Sequence, residues 1–178
     1  MELTPDAKRR FHVQSYGGAP RIDGVQIVSL DRHHDDGGAL TELVRLTDGR
    51  AEALPGFTVR QVNYSEVEPG VVKAFHVHMR QTDVWYVPPS DRMLLVLLDV
   101  RTGSPTEGTH MRLVLGAGAS RLVRIPPGVA HGVRNIGGAP GRVIYFVDVQ
   151  FSAAPADCDE GRLPWDHLGA DVWEIARG

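Results

Sequence analysis

The sequence predicts an all-β chain, an antiparallel barrel or sandwich, on three observations. Apolar and β-branched residues come in short runs, and clusters of Gly, Pro, Asp and Ser separate them. No window of eleven or more residues carries a helical period, a short turn within WDHLGADVWEI apart. Strands this frequent, with no helices between them, argue against a βαβ arrangement.

The runs follow in chain order. VQIVSL leads into HHDDGG, where His33 and His34 read as a solvated turn and Asp35 and Asp36 are the neighbours that would complete a second metal site. ALTELVRL follows, then the turn LTDGRAEALPG and the long run FTVRQVNYSEV. EPG turns the chain into VVKAFHVHM; VWYV comes next, PPSDR turns again, and MLLVLLDV is the most apolar run. RTGSPTEG, GAGAS and NIGGAPG separate MRLVLG, SRLVRIP and RVIYFVDVQF. Such β-branched and aromatic stretches suit a pleated, half-buried surface.

At 178 residues the chain is read as one domain, 1–178, large enough to bury a core without disulfides. Its 19 Lys and Arg are scattered against 22 Asp and Glu, for a net charge of -3, which excludes a basic footprint for nucleic acid or anionic lipid. The single cysteine, Cys158, excludes an internal disulfide. The opening MELTPDAKRRFHVQ lacks the apolar core of a signal peptide, and MLLVLLDV is too short to span a bilayer. The expectation is a cytoplasmic protein without a membrane partner.

On a strand, residues two apart share a face, so His76 and His78 project together while Phe75 and Val77 point the other way. Two imidazoles inside a barrel are metal ligands, acid and base groups, or core histidines satisfied by hydrogen bonds. IPPGVAHGVRN, residues 125–135, sets a Pro-x-Gly turn before His131 and aims a third imidazole at the barrel mouth. Gln61 and Asn63 also share one strand face; they contact substrate or satisfy buried backbone.

PGVVKAFHVHMRQTD and PPGVAHGVRN resemble the two motifs of the cupin superfamily: Gly, five residues, His-x-His and an acid, then Pro-x-Gly-x-x-His-x-x-x-Asn. The resemblance implies a cupin-type double-stranded β-helix, a jelly-roll barrel with short N- and C-terminal extensions. In metal-binding cupins these positions are ligands, which map to His76, His78, Asp83 and His131. Such a thiol-free set suits Zn, Fe, Ni or Mn better than Mg or Ca. That gives one alternative, a metal-dependent oxygenase or isomerase.

A closer resemblance covers most of the chain, from RIDGVQIVSLDRHHDDGGALTE to GRLPWDHLGADVWEI. QVNYSEVEPGVVKAFH, DVRTGSPTEG and IPPGVAHG are similar to the Q-x-N-x-S…G-V-x-R-G-x-H, D-x-R-x-x-S-P-T-x-G and I-P-x-G-x-A-H-G segments of the dTDP-4-dehydrorhamnose 3,5-epimerase family. WDHLGADV carries the tail motif in weakened form. This cupin branch works on nucleotide-linked 4-keto sugars without a metal, so the resemblance implies a homodimer that binds a nucleotide sugar and needs no cofactor. A non-catalytic sugar-binding relative is the remaining reading.

Residue by residue, the resemblance implies His76 as the base next to the ketone, Asp166 as its carboxylate partner, in a tail motif where either Asp166 or His167 aligns, and Tyr145 as the acid on the opposite face. Lys73 stands where the family has Arg, and Asp83 stands at or near the family's Lys, so the cation that meets the enolate oxygen is changed. Lys73 lies three residues before His76 and needs a bulge or a loop position to reach the same side. Gly37 replaces a phosphate-holding Arg, while Glu42 of that motif is kept. Implied substrate contacts are Glu42, Gln61, Asn63, His78 and His131. Trp85 and Tyr86 read as sheet packing, His12, His110 and His167 carry no motif, and Cys158 between Asp157 and Asp159 is no nucleophile.

Overall fold

The computed structural model describes residues 1–14 and 18–175. A short helix α1 (Pro5–Arg10), capped by the Thr4 hydroxyl, stands exposed at the start. The sequence reading did not anticipate it, because six residues with no buried face carry no hydrophobic period. After β1 (Gln26–Ser29) come two small hairpins, β2 (His33–Asp35) with β3 (Gly38–Leu40) and β4 (Leu46–Thr47) with β5 (Arg50–Ala51). ALTELVRL is therefore not one strand. Its ends belong to two hairpins, and Leu43 and Val44 between them pack onto the outside of the barrel.

The barrel strands follow as β6 (Gln61–Val67), β7 (Val72–Val77), β8 (Asp83–Tyr86), β9 (Arg92–Asp99), β10 (His110–Gly116), β11 (Arg121–Ile125), β12 (Val129–Asn135) and β13 (Gly141–Val147). A two-residue β14 (Gly161–Arg162) and a 3-10 turn (Ala170–Trp173) complete the order. One sheet runs β1-β11-β8-β13-β6 and the other β10-β9-β12-β7-β14, every pairing antiparallel.

Apolar residues of both sheets meet between them: Trp85 and Val87, Val123 and Ile125, Met93, Leu95 and Leu97, Val129 and Val133. Both outer faces are covered as well. Ala51, Leu54 and Phe57 pack on Val84, Tyr86, Leu122 and Phe146 of the first sheet. Val172 and Trp173 pack on Phe75, Leu94, Val96 and Leu98 of the second. MLLVLLDV is therefore continuous rather than alternating: its odd positions fill the barrel and its even positions lie under the tail.

DVRTGSPTEG ties itself off. The buried Asp99 carboxylate accepts from Arg101, Ser104 and Thr106 at 2.8, 2.5 and 2.7 Å, a knot outside the cavity described next.

Candidate functional site

Between the two sheets lies a cavity of about 750 Å³, a size typical of small-molecule sites. Gln61, Asn63 and Ser65 line it from β6, Asp83 and Trp85 from β8, and Tyr145 from β13. Lys73, His76 and His78 line it from β7, His131 from β12, and Arg162 from β14. His76 and Tyr145 thus face one space from opposite sheets.

Strand β7 is bulged where the site needs it. Lys73 pairs with Val133 and His76 with His131, so three steps on β7 match two on β12. The extra residue puts Lys73 and His76 on one side despite their odd spacing. Gly132 permits this close approach, since a Cβ there would overlap Ala74. The Lys73 ammonium nevertheless stops at the rim, where it donates to the Glu66 carbonyl at 2.6 Å and the Ser65 hydroxyl at 3.4 Å.

His76 Nδ1 lies 3.2 Å from Oε1 of Glu160, and Arg162 Nη2 donates to the same oxygen at 2.5 Å. Burial opposes the charge on Glu160, but the Arg162 hydrogen bond and the neighbouring His76 and Arg162 outweigh it and keep the carboxylate ionised below its ordinary range. An ionised carboxylate only accepts, so it favours the tautomer with the hydrogen on His76 Nδ1 and the lone pair on Nε2. Burial, aided by His131 and Arg162, pulls His76 down from 6.5 to about 4. Tyr145 is pushed the other way by burial and by the charges of Asp83 and Glu160, which keeps it a phenol.

Deeper in, His78 and His131 each give an Nδ1 hydrogen to a backbone oxygen, of Asp159 at 2.8 Å and Val129 at 3.0 Å. Their Nε2 atoms face Asp83 at 3.9 and 3.4 Å. Asp83 also accepts from Gln81 at 2.7 Å and Trp85 at 2.9 Å. Burial works to raise its pKa, yet these contacts, led by His131, bring it to about 2. The ligand atoms of His78, Asp83 and His131 lie within 4.8 Å of one another, and His76 is not in that group. Carbonyl-fixed imidazoles and a carboxylate fit a divalent transition metal. On the described residues, the proposed base and the metal-compatible trio are separate sets.

Two expected residues fall outside the cavity. Asp166, expected as the partner of His76, is exposed in the turn after Pro164, and its carbonyl accepts from Gly169 at 2.7 Å. Glu160 takes that place, because β14 pairs with β7 and the chain leaves the sheet beyond Arg162. Glu42 is exposed and paired with Arg45 at 2.8 Å. Gln61 and Asn63 do face inward, the Gln61 amide donating to Asn63 at 2.7 Å and its oxygen accepting from Phe151 at 3.0 Å. Trp85 is core packing, as expected, and also a donor to Asp83; Tyr86 packs outward.

Sequence reasoning missed Glu160, Arg162 and Asp159. Glu-Gly-Arg is an i, i+2 pair of charges at the start of a short strand, a faint but usable signal. The Asp159 carboxylate accepts from the backbone N–H groups of Met79, Arg80 and Gln81 at 3.2, 2.9 and 2.8 Å, fastening this segment to the barrel.

A sequence profile described as dTDP-4-dehydrorhamnose 3,5-epimerase matches residues 19–167. The chain is 39% identical over 145 residues to the spore coat polysaccharide biosynthesis protein SpsL of Bacillus subtilis, covering 82% of this chain and 91% of that one. It is 31% identical over 147 residues to the probable low-salt glycan biosynthesis epimerase Agl13 of Haloferax volcanii, covering 83% and 90%. A solved dTDP sugar isomerase of Desulfovibrio desulfuricans superposes with a TM-score of 0.70 at 29% identity, over 87% of this chain and 91% of that one.

Proposed function

Since the chain belongs to the dTDP-4-dehydrorhamnose 3,5-epimerase family, with its jelly-roll fold, we propose that it epimerises a dTDP-linked 4-keto-6-deoxy sugar at a carbon beside the ketone. The observation that carries this reading is His76, paired to Glu160, facing Tyr145 across one cavity from the opposite sheet. A proton beside a ketone is only weakly acidic, so a positioned base and an acid on the other face share the work. His76 Nε2 takes the proton from one face of the sugar ring. The electron pair of the C–H bond becomes the carbon–carbon double bond of an enolate, and the carbonyl pair moves onto oxygen. Tyr145 returns a proton from the other face, and solvent restores both groups.

Gln61 and Asn63 are the proposed contacts to the nucleotide sugar, with His78 and His131 behind them at the cavity floor. The reaction is proposed to need no cofactor, because the chain supplies base and acid itself. A divalent transition metal held by His78, Asp83 and His131 would polarise the ketone as a Lewis acid. A role in carbohydrate biosynthesis is supported by the names of the SpsL and Agl13 relatives. A homodimer in the cytoplasm completes the proposal. Val62 and Tyr64, more than half exposed on the outer side of β6, support the first part, and the lone exposed thiol Cys158 supports the second.

The test is deuterium wash-in from heavy water into a dTDP-4-keto-6-deoxy sugar, followed by proton NMR. Loss of the signal at carbon 3 or 5 is expected with the wild type and not with His76→Asn. A wild-type enzyme that leaves both positions protiated sinks the reading.

A further inference from the structure

Proton removal beside a ketone places a full negative charge on the ketone oxygen. The walls around the base already hold three carboxylates, Asp83, Asp159 and Glu160, so this charge needs a cation at a fixed place. Asp83 is a buried acceptor and supplies none.

Among the described residues lining the cavity, the cationic side chains besides histidine are Lys73 and Arg162. Lys73 is engaged at the rim with Glu66 and Ser65. Arg162 lies directly opposite His76 in the β14–β7 pairing. Its Nη2 donates to Glu160, the same oxygen that meets His76, and its side chain is 57% exposed. A guanidinium offers five N–H donors in a fixed plane. Glu160 takes one, and Arg162 lines the cavity.

We propose that Arg162 is the oxyanion-binding residue of this enzyme, donating N–H to the sugar's ketone oxygen as the enolate forms. The inference rests on the epimerase reading. Glu160 then serves two groups through one oxygen, which meets His76 Nδ1 and accepts from the Arg162 guanidinium. A base and a cation held side by side suit the chemistry, because the abstracted proton and the ketone oxygen sit on adjacent carbons. In the step itself the C–H proton passes to His76 Nε2, and the carbonyl electrons come to rest on the oxygen that Arg162 meets. No oxidant or further reactant is involved.

The diphosphate of the nucleotide is the other anion that a guanidinium would draw, and three measurements separate the two. Arg162→Gln and Arg162→Lys are compared with wild type for kcat and KM of deuterium exchange and for Kd of dTDP by calorimetry. Enolate binding predicts a kcat about a hundredfold lower in the Gln variant, a loss of about tenfold in the Lys variant, and KM and the dTDP Kd within about threefold of wild type in both. Equal losses in the two variants, or an unchanged kcat, overturn the assignment. A dTDP Kd raised about tenfold with kcat intact moves Arg162 to the diphosphate and overturns it too. Absence of exchange in the wild type overturns the epimerase reading and this assignment together. Exchange at the wild-type rate in Arg162→Gln overturns this assignment alone.

Discussion

Nδ1 of His76 lies 3.2 Å from Oε1 of Glu160, so the base on β7 receives its carboxylate from the residue just before β14, near the end of the chain. Glu160→Gln keeps the shape and removes the charge. The imidazole then loses the group that selects its tautomer, and the exchange rate is expected to fall about a hundredfold or more. Asp166→Asn, altered outside the cavity, is expected to exchange at the wild-type rate. The reverse ranking of these two variants would return the partner role to Asp166.

Tyr145 faces the ring from the other sheet, so its loss is expected to separate two events that the wild type couples. Tyr145→Phe removes the acid while leaving His76 and Glu160 in place. Deuterium wash-in at the original configuration is expected to persist, with the inverted product reduced about a hundredfold or more. Equal loss of wash-in and inversion would show that the phenol does not act after abstraction.

Burial and the charges beside His76 set the acid limb of the pH profile. Its pKa falls from 6.5 to about 4, so the base is neutral at neutral pH and activity is lost only as the pH drops through about 4. The effect on stability has a definite sign. The unfolded chain, at 6.5, binds the proton before the folded one. Destabilisation from this group therefore begins below 6.5 and is complete below about 4. An acid limb near 6.5 in kcat/KM would place the ring in water.

Metal content is expected to be low. Protein purified without an affinity tag is expected to carry less than about a tenth of an equivalent of Zn, Fe, Ni or Mn, and a chelator is expected to leave the exchange rate unchanged. Stoichiometric metal that Asp83→Asn or His131→Asn removes, together with the activity, would make the trio a metal centre.

Light scattering is expected to give twice the chain mass of 19.5 kDa. Val62→Glu with Tyr64→Glu places charge on the outer side of β6 and is expected to shift the mass to a single chain. A wild-type protein that is monomeric at micromolar concentration would refute the dimer.

What was legible in the sequence was what local spacing controls. The shared face of His76 and His78 follows from the two-residue period, as does the inward aim of Gln61 and Asn63. Lys73 marks the boundary: its spacing required a bulge, and only the register between β7 and β12 reveals one. Glu160 and Arg162 carry only a faint signal, two charges two residues apart, because β14 is two residues long and has no period. Its place is fixed from afar, by the Asp159 carboxylate on the backbone of 79–81 and by Val172 and Trp173 on Phe75. Asp166 was misplaced for the same reason, since the family motif in that tail is weakened and no periodic pattern locates it.

The late position of β14 has a consequence for how the molecule is made. Synthesis runs from the N-terminus, so every barrel strand, with His76 and Tyr145, leaves the ribosome before Glu160 and Arg162. A nascent barrel would meanwhile present Phe75, Leu94, Val96 and Leu98 bare to its surroundings, the face that Val172 and Trp173 later cover. The tail that hides this sticky surface is the same tail that arms the base. Chains still being translated, and chains that end early, would therefore be chemically silent until the step that also makes them safe from aggregation.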